Sequence, residues 1–263
     1  MIIERIWAAN ALRNYHYLVG CPDTGEALAI DPLDWESCLT RAKTRGWRIT
    51  QILNTHEHRD HTAGNAALVI ATGAKVLAHR NGAAIIGGVD RGLSAGDIVR
   101  VGRSVELECL DTPGHTMAHI CLIAHSDTPA LFSGDTLFNA GVGNCKQGGD
   151  PESLFETCDA LLARLPENTS IYPGHDYLQN NLAFTLSVEA GNTNARRWQE
   201  QCRMHDPVAA PTLTLRDELS INSFFRLRQP GVIEGLRAKV PTLSARPEPR
   251  EVFVKLRELR NHW

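Results

Sequence analysis

Residues 55–65 read Thr-His-Glu-His-Arg-Asp-His-Thr-Ala-Gly-Asn. Four of them, His56, His58, Asp60 and His61, carry metal-binding side chains within a six-residue span. Neutral imidazole together with carboxylate suits zinc, iron or manganese. Four such groups are more than one ion can use if water and substrate must also bind. The segment therefore predicts two metal ions and a hydrolytic reaction.

Three further loops, each after a predicted strand, contribute one ligand type apiece. His115 ends Thr-Pro-Gly-His, Asp135 lies within Ser-Gly-Asp-Thr-Leu-Phe, and His175 ends Tyr-Pro-Gly-His. Proline and glycine force a tight turn, so the backbone that carries the following histidine is held in place. Strand-end loops commonly carry functional side chains because the sheet beneath them is rigid. These loops extend the predicted site to seven ligands.

One division of these ligands assigns three to each ion and one to a bridge: His56, His58 and His115; Asp60, His61 and His175; and Asp135. The two carboxylates, Asp60 and Asp135, are the predicted catalytic residues. A pair of divalent ions lowers the pKa of water from 15.7 to about 7 and so supplies hydroxide without a protein nucleophile. The expected cofactors are two divalent ions, with zinc, iron and manganese as the candidates.

Apolar runs and turn residues predict an α/β region followed by helices. Strands are predicted at 15–20, 27–30, 49–53, 75–78, 105–110, 119–124, 130–132 and 170–172. Helices are predicted from Asp34 to about 45, at 61–72, and from Asp150 to about 165. Further helices are predicted at 179–190, at 193–204 and near the C-terminus, with a stretch interrupted by prolines between the last two. We therefore predict a catalytic domain at 1–177 and a helical region at 178–263.

Composition narrows the class of protein and its compartment. With 43% hydrophobic and 22% charged residues, the chain resembles an ordinary soluble globular protein. The net charge of −3 gives no reason to expect nucleic acid or anionic membrane as a partner. The first ten residues, MIIERIWAAN, lack a signal-peptide core, and the seven scattered cysteines indicate free thiols in a reducing compartment. A cytoplasmic location is expected, while the oligomeric state is left open.

The segments THEHRDH, PGHT, SGDTLF and PGHDY, in that order, resemble the metallo-β-lactamase superfamily and, within it, glyoxalase II, the hydroxyacylglutathione hydrolases. The resemblance covers nearly the whole chain, including tail motifs at 215–228 and 252–263. It implies a fold of the α/β class, a four-layer αβ/βα sandwich with a small C-terminal helical domain. It also implies hydrolysis of S-2-hydroxyacylglutathione, typically S-lactoylglutathione, to glutathione and a 2-hydroxy acid by a metal-bridging hydroxide.

The resemblance also implies which residues bind a glutathione-based thioester. Tyr177 matches the tyrosine that contacts glutathione, while Arg257 and Arg260 match the basic positions that hold its glycine carboxylate. A solvated basic helix face is the alternative interpretation of the two arginines. The family usually has Arg or Lys, followed by an aromatic pair, where this chain has Asn144 and no aromatic residue. Lys146 is the candidate replacement for the missing cation, and the assignment of glutathione as the thiol depends on it.

Three other functions remain open at this point. A persulfide dioxygenase with mononuclear iron uses a related fold but leaves Asp60, His61 and the last histidine outside the coordination sphere. The same metal centre also suits another thioester, a lactone or a phosphodiester. A non-catalytic binding protein is the third option, although it would have no need of seven ligands. The lack of a Gly-x-Ser-x-Gly motif argues against a serine hydrolase.

Overall fold

The computed structural model describes residues 1–204 and 206–263. Its strands, in chain order, are β1 (Ile2–Trp7), β2 (Tyr15–Gly20), β3 (Glu26–Ile30), β4 (Arg48–Asn54), β5 (Lys75–His79), β6 (Arg91–Leu93), β7 (Ile98–Val101), β8 (Val105–Asp111), β9 (Ile120–Ala124), β10 (Ala130–Gly134), β11 (Leu137–Phe138), β12 (Gly141–Val142) and β13 (Ser170–Pro173). Its α-helices are α1 (Trp35–Thr44), α2 (Arg59–Thr62), α3 (Asn65–Thr72), α4 (Ala83–Ile86), α5 (Pro151–Arg164), α6 (Leu178–Val188), α7 (Thr193–Gln201), α8 (Leu215–Ile221), α9 (Pro230–Lys239) and α10 (Pro249–Arg260).

Across the described ranges, the strands form two large sheets and one hairpin. The first sheet has the order β1-β2-β3-β4-β5-β6, with β1 to β3 antiparallel and β3 to β6 parallel. The second has the order β13-β10-β9-β8-β7, and β11 pairs with β12 in the hairpin. Parallel neighbours end at the same edge of a sheet. The loops after β3 and β4 are therefore side by side, which is where ligands bind in sheets of this kind.

The central strands of the first sheet are buried on both faces. On one face, Leu18 of β2 packs in a core cluster with Cys38 of α1 and Leu68 of α3. On the other face, the ring of Tyr17 meets Phe132 of the second sheet edge-on, with ring centroids 5.4 Å apart. All six residues of β2 are buried, as expected for a strand with a layer on each side. This rigid packing supports the loops at the end of the strands.

The helix predicted at 61–72 is wrong in its first part. The chain forms two helices there, α2 and α3, separated by Ala63 and Gly64. A Cβ on Gly64 would lie 1.9 Å from the carbonyl oxygen of Pro32. The backbone that leaves β3 therefore presses directly against this point, a contact that periodicity cannot reveal. The predicted end of the helix is confirmed, because Gly73 follows α3 with φ 72°.

The stretch interrupted by prolines contains two helices that the sequence pattern did not predict. Thr214 begins α8 with a capping box, in which its side chain and that of Asp217 each bond the other's backbone. Pro230 stands in the first turn of α9, where a missing N–H costs nothing. The proline there marks the start of a helix.

The chain divides into two compact units: Met1–Thr112, Ala118–Gly134 and Tyr172–Asp176; and Pro113–Met117, Asp135–Ile171 and Tyr177–Trp263. The seven cysteines are thiols, six of them buried and Cys145 partly exposed. Among the described helices, none has both the length and the apolar character needed to cross a bilayer.

Candidate functional site

Three predicted ligands meet in the first unit. Asp60 and His61 lie in α2, which follows the loop after β4, and His175 lies beyond β13. The Nε2 atoms of His61 and His175 are 3.2 Å apart, and each is 3.5 Å from Oδ2 of Asp60. Both histidines are buried, at 1% and 3% exposure. Their donor atoms therefore point to one place.

The other ring nitrogens of these histidines show which tautomer is present. His61 Nδ1 lies 3.0 Å from Oδ2 of Asp31, and His175 Nδ1 lies 2.7 Å from the carbonyl oxygen of Leu12. Both oxygens are acceptors, so each Nδ1 carries the hydrogen. In neutral rings both Nε2 atoms then have lone pairs directed at the same point. This is the arrangement in which proteins hold a cation, so the residues fit a divalent metal ion.

A second pair of ring nitrogens converges in the loop after β4. His56 Nε2 lies 3.1 Å from His58 Nδ1. Thr55 donates its hydroxyl to Asp31 and therefore accepts from His56 Nδ1, at 3.0 Å. Asp31 also accepts from the backbone N–H of Thr55, at 2.8 Å. One buried carboxylate thus anchors the start of the loop, and the ring of His119 stacks on His56 at 5.1 Å.

The second unit holds His115 and Asp135. Nε2 of His115 lies 3.5 Å from Oδ2 of Asp135, and its Nδ1 donates to the carbonyl oxygen of Asn144 at 2.6 Å. The turn before His115 requires glycine. Gly114 has φ 148°, and a Cβ there would lie 2.4 Å from Cα of Leu154. The Pro-Gly-His pattern therefore reflects a real backbone constraint. The hydrogen bond to the carbonyl of Asn144 places the ring hydrogen of His115 on Nδ1, which leaves a lone pair on Nε2.

A cleft of about 260 Å³ in the second unit brings together all four predicted substrate contacts. Its lining residues come from the hairpin, α6 and the C-terminal segment: Phe138, Val142, Asn144, Lys146, Tyr177, Asn181, Arg257, Arg260, Asn261 and Trp263. Three of these side chains are cations, and no aspartate or glutamate occurs among the described lining residues. An unneutralised group of cations favours an anionic ligand.

Arg257 is the most buried of the three cations, with 5% of its surface exposed. Its Nη1 donates to the carbonyl oxygens of Val142 and Gly143, both at 3.0 Å. Burial, together with the neighbouring charge of Arg260, lowers the pKa of Arg257 to about 10. Arg260 lies over the ring of Trp263 at 5.2 Å, and burial lowers its pKa as well. The alternative of a solvated basic face is therefore wrong for Arg257.

Comparison with known proteins assigns the family. Residues 17–175 match the metallo-beta-lactamase superfamily, and residues 176–263 match the hydroxyacylglutathione hydrolase C-terminus. The hydroxyacylglutathione hydrolase of Polaromonas sp. (strain JS666) is 58% identical over 263 residues, which is 100% of both chains. That of Nitrosococcus oceani is 57% identical, also over 100% of both.

The chain belongs to the hydroxyacylglutathione hydrolase family. It is a metal-dependent hydrolase, and the predicted resemblance is confirmed. The crystal structure of ETHE1 from Myxococcus xanthus is similar, with 26% identity and a TM-score of 0.70, covering 99% of this chain and 92% of that one. The predicted α/β class and metallo-β-lactamase fold are confirmed, together with the helical C-terminal part. Membership of the hydroxyacylglutathione hydrolase family implies two divalent metal ions.

Sequence reasoning missed the groups that orient the histidines of this hydroxyacylglutathione hydrolase family member. Asp31 directly follows β3, so the rule that strand ends carry functional side chains would have found it. The carbonyl oxygens of Leu12 and Asn144 leave no such signal, because every residue has a carbonyl. Only the folded backbone identifies them.

Proposed function

We propose that this enzyme hydrolyses the thioester of S-2-hydroxyacylglutathione, with S-lactoylglutathione as the expected substrate. Water adds across the acyl carbon–sulfur bond. The hydroxyl joins the acyl carbon to give a 2-hydroxy acid, and the sulfur leaves and takes a proton as glutathione. The observation that carries this assignment is the cation-lined cleft of the tail, because glutathione presents carboxylates. The names of the relatives support the same substrate class.

The proposed metal ligands are the seven predicted from the sequence: His56, His58 and His115 for one ion, Asp60, His61 and His175 for the other, and Asp135 between them. When bound, the ions supply a hydroxide at neutral pH and polarise the thioester carbonyl. Zinc is the proposed metal, with iron and manganese able to use the same nitrogen and oxygen ligands. Convergent Nε2 atoms with hydrogen-bonded Nδ1 atoms support the assignment.

The chain's own residues prepare this site before any ion binds. Asp31 and the carbonyl of Leu12 each hold a proton on an outer ring nitrogen, which leaves the inner nitrogen as a ligand. The carbonyl of Asn144 does the same for His115. The carboxylates Asp60 and Asp135, the proposed catalytic residues, supply the negative charge that two divalent cations need.

For the substrate, we propose that Lys146, Arg260 and Tyr177 contact the glutathione moiety directly. Lys146 supplies the positive charge that the family usually has at the position of Asn144, because both side chains line the cleft. Arg257 combines two tasks, since its Nη1 is committed to backbone carbonyls while its side chain also lines the cleft. We further propose that residues 1–177 carry the chemistry and 178–263 bind substrate, in a cytoplasmic protein.

A comparison of substrates tests this function. The purified enzyme is assayed with S-lactoylglutathione and with lactoyl thioesters of neutral, smaller thiols, and its bound metal is counted. We expect a clear preference for the glutathione thioester and two ions per chain. Oxygen uptake with glutathione persulfide on a single iron would identify a dioxygenase instead. Faster cleavage of a lactone or phosphodiester would move the substrate class and contradict the assignment.

Variants of the cleft test whether its cations cause the preference for the glutathione thioester. We expect Arg260→Ala to raise KM for S-lactoylglutathione more than it lowers kcat, because the contact lies away from the reacting carbonyl. The matched control is Arg250→Ala on the same helix, which removes an exposed arginine paired with Glu152 and Glu156. Equal KM values for the two variants would show that the cleft does not bind glutathione.

A further inference from the structure

The loop that joins β1 to β2 has an unusual backbone. Two of its residues, Ala9 and Arg13, have positive φ angles of 53° and 61° without being glycine. L-residues rarely adopt this conformation, and it persists only where surrounding contacts impose it. Such backbone strain is concentrated at functional sites in proteins. The contacts of residues 8–14 therefore hold Ala9 and Arg13 in this conformation.

The end of this loop pairs with the segment that carries His175. Asn14 and His175 form an isolated antiparallel bridge, and the N–H of Asp176 donates to the carbonyl of Arg13 at 2.9 Å. The guanidinium of Arg13 also bonds Asp176 and lies over the ring of Trp7, 5.0 Å from its centroid. The loop is thus attached on both sides of the histidine, and the carbonyl of Leu12 accepts from that histidine's Nδ1 at 2.7 Å.

The same loop reaches a second metal-ligand side chain. Nδ2 of Asn14 donates to Oδ2 of Asp60 at 3.1 Å and to the carbonyl oxygen of Asp60 at 3.2 Å. Asn14 is 1% exposed. Its side-chain oxygen accepts from Nδ2 of Asn10 at 2.8 Å, and its backbone N–H donates to the side-chain oxygen of Asn10 at 3.1 Å. Asn10 therefore fixes which end of the Asn14 amide faces the carboxylate.

We propose that the loop of residues 8–14 positions the ligands of one metal ion, with Asn14 as the positioning residue for Asp60 and the carbonyl of Leu12 as that for His175. This inference rests on the proposed assignment of Asp60, His61 and His175 to the same ion. A donor bonded to Oδ2 restrains rotation of the carboxylate and balances part of its charge. Groups that orient metal ligands in this way are typically worth 10–100-fold in metal affinity.

The test is titration of the metal-free protein with Zn²⁺, followed by competition with a chromophoric chelator. Wild type should bind two ions. In Asn14→Ala, we expect one ion to bind as in wild type and the other to bind about 10–100-fold more weakly. Asn10→Ala leaves the Asn14 amide in place but removes the contacts that orient it. Binding of the same ion should therefore weaken by a smaller factor. Asn10 is partly exposed, so this variant remains informative if Asn14→Ala fails to fold.

Two controls separate the possible failures. Asn192→Ala removes a different buried asparagine, which caps α7, and should leave both binding steps unchanged. Asp60→Ala should eliminate the weakened step altogether. If Asp60→Ala loses an ion while Asn14→Ala and Asn10→Ala bind both normally, the positioning role is wrong and the ligand assignment stands. If Asp60→Ala also binds two ions normally, the ligand assignment itself fails.

Discussion

Glu218 is a fully buried carboxyl group in α8 that holds the turn of the β11–β12 hairpin. Its oxygens accept from the backbone N–H of Ala140 at 2.9 Å, from Nδ2 of Asn222 at 2.9 Å and from Nδ2 of Asn139 at 3.3 Å. Ala140 is a non-glycine residue with φ 57°, so the turn needs such support. We predict that replacing Glu218 by glutamine changes how stability depends on pH.

The magnitude follows from the pKa of this group. Burial raises the pKa of Glu218 from 4.5 to about 8, although the hydrogen bonds from Asn222, Asn139 and Ala140 act to lower it. The native state therefore keeps a proton that the unfolded chain releases above 4.5. The contribution of this protonated carboxyl to the free energy of unfolding is fully present below pH 4.5 and is lost as the pH rises to about 8. At 1.36 kcal/mol per pKa unit, the total is about 5 kcal/mol, or about 1.4 kcal/mol per pH unit.

Urea unfolding of the metal-loaded wild type and Glu218→Gln, from about pH 5.5 to 8.5, measures this effect. Glutamine has nearly the same size and does not titrate, so all other groups cancel in the difference. The stability of wild type minus that of the variant should fall by about 1.4 kcal/mol per pH unit and level off above pH 8. Glu234→Gln, at an exposed position of α9, should give a flat difference. If the stability difference between wild type and Glu218→Gln did not change with pH, the reasoning would be refuted. Glu218 would then be an ionised carboxylate that its hydrogen-bond donors stabilise.

Three further predictions concern the metal site and its support. Gly64→Ala should lower the free energy of unfolding by about 3 kcal/mol, since its Cβ would meet the carbonyl of Pro32. Gly191→Ala, with open space around it, is the control. Equal urea midpoints for the two variants would count against the close contact at Gly64. Asp135→Ala should abolish turnover and reduce bound metal, as measured by elemental analysis; an active variant would exclude a bridging role. Removal of metal by a chelator should abolish thioester hydrolysis, and added Zn²⁺ should restore it; undiminished activity of the metal-free protein would rule out metal-dependent catalysis.

Elements governed by local interactions were predictable. The strand predicted at 15–20 is β2, and the strand predicted at 27–30 lies within β3. Asp34 and Asp150 cap α1 and α5 as expected, each accepting from the backbone N–H three residues later. The first part of the helix predicted at 61–72 was wrong because the interruption at Gly64 depends on the approach of Pro32, which lies far away in sequence. Contacts of that kind leave no local pattern.

For the site, the sequence by itself predicted the seven proposed ligands and determined the reaction class, because the chemistry of histidine and aspartate side chains is readable from residue type and spacing alone. It also indicated the two arginines of the C-terminal helix, Arg257 and Arg260. Only the tertiary structure decided how these groups are held: the proton on each outer ring nitrogen, the burial of Arg257 against backbone carbonyls, and the amide of Asn14 beside Asp60. These are bonds between distant segments, many of them to backbone atoms common to every residue. The physical reason is therefore plain: side-chain chemistry is encoded residue by residue, whereas orientation comes from the folded backbone.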